Sequence, residues 1–207
     1  MHAWDEAVAA LGGNAPGAVT VELDNRYAEP HRCYHTAEHV AAVLRDAKAL
    51  ADAVGLHERD RALVDLAACA HDVIHTGVPG EDERASAGWA RRALDAAGIR
   101  PADAARVEEL VLFTADHRVP DNDTAAGVLV DADLAILGGT AVEYDAYVAA
   151  VRAEYGHVPD PQWRVGRTRV LEQLLAVAPL YRTQAARERW EQQAQLNIRR
   201  ELAALRG

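Results

Sequence analysis

The stretches YHTAEHV at 34–40 and CAHDVIH at 69–75 decide how this chain is read. Together His35, His39, His71, Asp72 and His75 bring imidazole nitrogens and a carboxylate, the donor types that bind divalent transition metals. His35/His39 and His71/His75 are each four residues apart, which puts two side chains on one face wherever the segment is helical. On a helix Asp72 points about 100° away from His71, suited to reaching round one ion or bridging two. The flanking Leu66, Ala67, Ala68, Val73 and Ile74 are apolar, and a buried carboxylate is costly unless paired or ligated. One HxxxH pair arises often by chance, but two pairs with an adjacent His-Asp favour a metal site over a structural polar cluster.

Length and composition bound the rest. The 207 residues, half of them hydrophobic, suit one domain over 1–207 that buries about 70% of its unfolded surface. Nothing resembles a signal peptide or a membrane span of roughly 20 apolar residues. Cys33 and Cys69 are too few for a disulfide framework and read as small packing residues, so a cytoplasmic setting is expected. The net charge of −10 argues against a duplex nucleic acid as partner. Of the 22 basic residues only Lys48 is not Arg; Arg32, Arg84 and Arg118 lie beside candidate site residues, where a guanidinium can hold a phosphate bidentately.

The pattern is all-α, with Ala, Leu, Arg and Glu dominant and Gly and Pro as punctuation. It predicts helices over 2–11, 18–29, 36–54, 58–76, 82–97, 101–115, 122–137, 141–155, 161–177 and 181–205. Thr36, Asp82 and Thr140 with Glu143 read as N-terminal capping signals. The charged segment 181–205 is expected either to close the core or to pair with another subunit.

The order His39, His71-Asp72 and then a distant Asp resembles the H…HD…D signature of the HD-domain metal-dependent phosphohydrolases. The segments around His39 and His71 are similar to those of cyclic-nucleotide phosphodiesterases, and VDADL at 130–134 holds the Ala-Asp-Leu in which those enzymes carry their last ligand. PHRCYHTAEHV, DERASA at 82–87 and VDADLAILGG resemble a small bacterial group of HD phosphohydrolases over most of the chain, including Tyr144–Tyr155 and the Asn197 region.

That resemblance implies a single HD-type bundle of roughly eight to ten helices that holds one or two divalent ions, with Mn, Mg, Zn, Co, Ni and Fe not distinguished. His39, His71, Asp72 and Asp133 are the implied metal ligands. Asp131 is the alternative distal acid, otherwise an outer hydrogen-bond partner or a helix N-terminal charge. His35 takes the place of the general acid, and His75 would orient a bridging water or a ligand. Glu83 reads equally as a partner of a second metal through water or as a charge stabilising its helix N-terminus. His117 reads equally as a second-metal ligand or as a solvated loop residue. The implied activity is hydrolysis of a small phosphorylated metabolite, most plausibly a nucleotide. A di-iron oxygenase on the same scaffold and a non-catalytic metal- or nucleotide-binding module are the alternatives.

Overall fold

The computed structural model describes residues 2–78 and 80–207, and among these the chain is helical with no strand. Helices α1 (His2–Ala10) and α2 (Gly17–Tyr27) lead into α3 (Ala37–Val54) and α4 (Glu58–Ala70). The pair α5 (Glu81–Ala96) and α6 (Pro101–Leu112) follows, then α7 (Thr124–Asp133), α8 (Ala141–Glu154) and α9 (Asp160–Ala176). A short α10 (Gln184–Ala186), a π-helical turn (Arg187–Glu191) and α11 (Gln192–Arg206) run on without a break. The all-α class expected from the sequence is what the chain adopts.

Helix α4 lies at the centre, against α1, α3, α5, α6 and α7. From Leu66 to Ala70 its residues are fully buried, and three of these five are Ala. Small side chains let neighbouring helices close in on this end, and a helical segment apolar all round belongs in a core. On α3, His39, Val40, Val43, Asp46, Ala47, Leu50 and Ala51 are buried at helical spacing, and Gly55 at φ 66 ends the helix. Thr140 and Glu143 form a capping box at the start of α8, with the Thr140 N–H donating to Glu143 Oε2 at 2.8 Å. One contiguous hydrophobic cluster runs from Trp4 to Leu202.

Several expected boundaries shift, and the shifts shape the site. The helix expected over 58–76 stops at Ala70, so His71, Asp72 and His75 lie on the turn that follows rather than on one helical face. His35 precedes the N-cap Thr36 and is likewise not helical. Helix α7 ends at Asp133 and passes into a 3-10 turn over Leu134–Gly138. Gly138 lets that turn approach the last helix: a Cβ there would sit 2.4 Å from that of Trp190. Ala194, Asn197, Ile198, Glu201 and Leu202 on α11 are buried, so this helix closes the core. No single helix among the described residues is long and apolar enough to cross a membrane.

Candidate metal centre

The buried C-terminal end of α4 presents carbonyls that need donors, and side chains supply several of them. Tyr27 Oη donates to Cys69 O at 2.9 Å, and His71 Nδ1 to Ala68 O at 2.9 Å. The Arg32 side chain, 0% exposed, donates to Asp72 O at 2.7 Å, Val73 O at 3.0 Å, His35 O at 3.0 Å and Glu29 Oε2 at 3.1 Å. Ser86 Oγ accepts from Ile74 N–H at 3.0 Å, and Asp82 accepts from the N–H groups of Thr76, Gly77 and Val78. The turn carrying His71 and Asp72 is therefore pinned from three directions before any ligand arrives.

With its Nδ1–H spent on Ala68 O, neutral His71 turns the Nε2 lone pair into the interior. There His71 Nε2 lies 3.0 Å from His39 Nε2, 3.0 Å from Asp72 Oδ2 and 3.4 Å from Asp133 Oδ1. His39 Nε2 is 3.4 Å from Asp72 Oδ2 and 3.3 Å from Asp133 Oδ1. Donors about 2.0–2.2 Å from a shared ion, at angles from square to tetrahedral, stand about 2.8–3.6 Å apart. All five separations fall in that range. Burial alone would raise the carboxyls of Asp72 and Asp133, but His71 and its neighbours outweigh it and hold both well below the usual range. Burial pulls down on His39 and His71, where the same two carboxylates prevail and raise both. These groups call for positive charge between them: one shared proton satisfies a single edge, whereas a divalent cation could be held by His39, His71 and Asp72 together, with Asp133 beside the two imidazoles.

Residues 36–134 match the family model of the HD domain. That match supports membership of the HD metal-dependent phosphohydrolase superfamily. Members of this family are generally metal-dependent phosphohydrolases that bind divalent metals. Among curated proteins and among solved structures nothing matches the chain. The matched span holds His39, His71, Asp72 and Asp133 but excludes His35 and everything after Leu134.

What lies outside that span completes the site. Glu154, the last residue of α8, accepts the backbone N–H groups of Cys33, Tyr34 and His35 on Oε1 at 2.8, 2.8 and 2.9 Å. Its Oε2 is 2.6 Å from His35 Nδ1 and 3.5 Å from His75 Nε2. Burial would raise this carboxyl, but His35, His75 and the backbone donors hold it well below the usual range. His35, His75 and Glu154 form a second group of clustered donors in the HD domain's surroundings. At 2.6 Å, however, His35 and Glu154 are closer than two donors sharing an ion, and the contact is a short N–H···O hydrogen bond. Glu154 was not singled out in the sequence. A carboxylate at a helix C-terminus, where the dipole disfavours it, was the one available signal.

The remaining expected residues take other places. His117 sits at φ 56, a left-handed conformation unusual for a residue with a Cβ, and its Nε2 is 3.0 Å from Asp133 Oδ2. It braces the oxygen of Asp133 that faces away from His39 and His71. Asp131, fully buried, accepts Arg182 N–H, Thr183 N–H and Thr183 Oγ1, each at 2.7 Å, so it anchors the entry to the last helix. His75 stacks on His35 with ring centroids 4.2 Å apart, on the Glu154 side. Glu83 Oε2 accepts Gly80 N–H at 2.5 Å, the helix N-terminal alternative of the two expected for it. Arg32 has its donors committed to carbonyls and Glu29, which leaves it a brace for the turn. Arg118 is exposed, and Arg84 lies against Gly80.

Two cavities open on the HD-domain donors. The wider, about 810 Å³, is bordered by His39, Asp133, Arg45, Asp46, Arg189 and Trp190. The narrower, about 430 Å³, is bordered by His35, His117 and Asp133. Tyr34 and Tyr147, with ring centroids 4.8 Å apart, border both.

Proposed function

We propose that this chain is a metal-dependent phosphohydrolase that cleaves the ester of a small phosphorylated metabolite of the nucleotide type, in the cytoplasm. The observation that carries the reading is the convergence of His39 Nε2, His71 Nε2 and Asp72 Oδ2 at separations of 3.0–3.4 Å, with Asp133 Oδ1 3.3 and 3.4 Å from the two imidazoles. A divalent ion held by these residues supplies a nucleophile from water at neutral pH and offsets phosphoryl charge. His71 stays the correct tautomer through Ala68 O, and His117 steadies Asp133. His35, with Nδ1–H donated to Glu154, holds or releases a proton at Nε2 for the leaving oxygen. Glu154 fixes the direction of the ring.

The oxygenase alternative needs further histidines as metal ligands. His117, with Nε2 3.0 Å from Asp133 Oδ2, is the candidate for that role, so metal content discriminates the two readings. The reading is tested by elemental analysis and phosphate release with the manganese-loaded protein over a panel of nucleotides and phosphoesters. Stoichiometric metal lost in His71→Ala, together with metal-dependent phosphate release, is the expected result. Two irons per chain with a visible absorption band and no phosphate release would replace hydrolysis by oxidation.

A further inference from the structure

We infer that the narrower cavity is the leaving-group pocket and that it takes an uncharged, flat aromatic group. The substrate class is then phosphoesters of uncharged alcohols bearing an aromatic ring, and an anionic leaving group is excluded. The inference rests on the phosphohydrolase reading and deepens it.

Position comes first. His35 borders this cavity and not the wider one, while Asp133 borders both. The phosphoryl centre therefore belongs at the junction, beside Asp133. The oxygen that receives the His35 proton leaves toward the narrower cavity. Its volume of about 430 Å³ is within the range of small-molecule pockets, about 300–1,000 Å³.

The lining then selects by shape. Tyr34, Tyr147, Tyr155 and Trp163 contribute rings, and Val151 and Val158 fill between them. Tyr155 and Trp163 face each other at 5.4 Å between centroids, tilted by 36°. Aromatic walls of this kind favour offset or tilted packing of another flat ring.

Charge selects more sharply still. Apart from the tyrosine hydroxyls and the Trp163 indole N–H, the polar side chains of the lining are His35, His117, Asp133, Gln162 and Arg167. Arg167 is already neutralised: Nε and Nη2 donate to Glu201 Oε1 and Oε2 at 2.8 and 3.0 Å, and Nη1 donates to Tyr147 Oη at 3.1 Å. His35 is paired with Glu154 and His117 with Asp133, and Gln162 carries no charge. A leaving group such as a nucleoside diphosphate would bring anionic oxygens into an apolar cavity with no uncompensated cation, which is costly. An uncharged nucleoside or aryl alcohol meets no such penalty.

The experiment compares esters whose leaving groups are all primary alkoxides: 2-naphthylmethyl, n-octyl and methyl phosphate and glycerol 3-phosphate, with the metal-loaded protein. The naphthylmethyl ester should exceed glycerol 3-phosphate by about 10-fold or more in kcat/KM and exceed the octyl ester as well. Nothing lies within 4 Å of a Cβ built on Gly166, which borders the cavity, so Gly166→Leu adds bulk there without a clash and favours its helix. In Gly166→Leu and in Trp163→Ala the ratio of naphthylmethyl to methyl kcat/KM should fall about 10-fold. Calorimetric titration with 2-naphthylmethanol, which carries no phosphate, should give a Kd raised about 10-fold by Gly166→Leu. Equal rates on the glycerol or octyl ester, or no binding of the alcohol, would overturn the pocket while leaving hydrolysis intact. Binding of the alcohol that Gly166→Leu weakens, with no ester cleaved, would keep the pocket and overturn the phosphohydrolase reading instead.

Discussion

Glu154 Oε2 lies 2.6 Å from His35 Nδ1, although 119 residues separate the two in the chain. The other oxygen of the same carboxylate gathers three consecutive N–H groups, from Cys33 to His35. One side chain at the end of α8 thus sets the path of the backbone before α3 and the tautomer of the imidazole on it.

Glu154→Gln and Glu154→Ala should differ. The amide can keep accepting backbone N–H groups but loses the charge that holds His35, so kcat should fall about 10–100-fold with metal content unchanged. Alanine removes the acceptor from three N–H groups, one exposed and two part-buried, each loss costing up to about 1 kcal/mol. Thermal unfolding should show Ala clearly destabilised and Gln nearly native. Equal destabilisation would mean that the charge, and not the acceptor geometry, holds the segment.

Asp131 and Asp133 are two residues apart yet should report different losses. Asp133→Asn is expected to weaken metal binding, while Asp131→Asn is expected to keep the metal and lower stability, because Asp131 holds the N–H groups of Arg182 and Thr183. Metal titration and thermal unfolding of both variants check this. The opposite pattern would move the ligand role to Asp131.

Holding a metal and moving a proton separate at His35 and His39. His35→Asn should keep metal and fold but lose about 10²–10⁴-fold in kcat on an alkyl ester, and much less on a nitrophenyl ester whose leaving group needs no proton. His39→Asn should fail on both. If His35→Asn lost its metal, or lost both activities equally, the acid role would pass elsewhere.

Stability should depend on pH through Asp65, half-buried on α4, whose carboxyl burial raises to about 6 against the partial opposition of Lys48 and Arg61. Below about pH 3.8 both folded and unfolded chains hold this proton, so the residue has no effect. Between about 3.8 and 6 the unfolded chain releases the proton and the native chain keeps it, so stability falls as pH rises, with the full cost present above about 6. Discounted for partial exposure, that cost is about 1–2 kcal/mol. Asp65→Asn should therefore gain about that much over the native chain in denaturant unfolding at pH 8 and nothing at pH 3.5. A gain equal at both pH values would assign it to something other than ionisation.

The helical class and the grouping of His39 with His71-Asp72 were legible in the sequence, because both are local: helical periodicity repeats every turn, and His39 and the adjacent His71-Asp72 stand in recognisable segments. The choice between Asp131 and Asp133 was not local. It turns on α7 ending at Asp133 while Asp131 points at the loop before α10, and on His117 adopting a left-handed backbone to reach Asp133. The HxxxH spacings misled where the chain is not helical. His35 lies ahead of α3 and His71 caps α4, so neither pair shares a face as spacing alone implied. Glu154 and the two cavities depend on where α8 and α9 come to rest against the start of α3. Periodicity and spacing describe one segment at a time, and only packing between distant segments puts a carboxylate at 154 within hydrogen-bonding distance of an imidazole at 35.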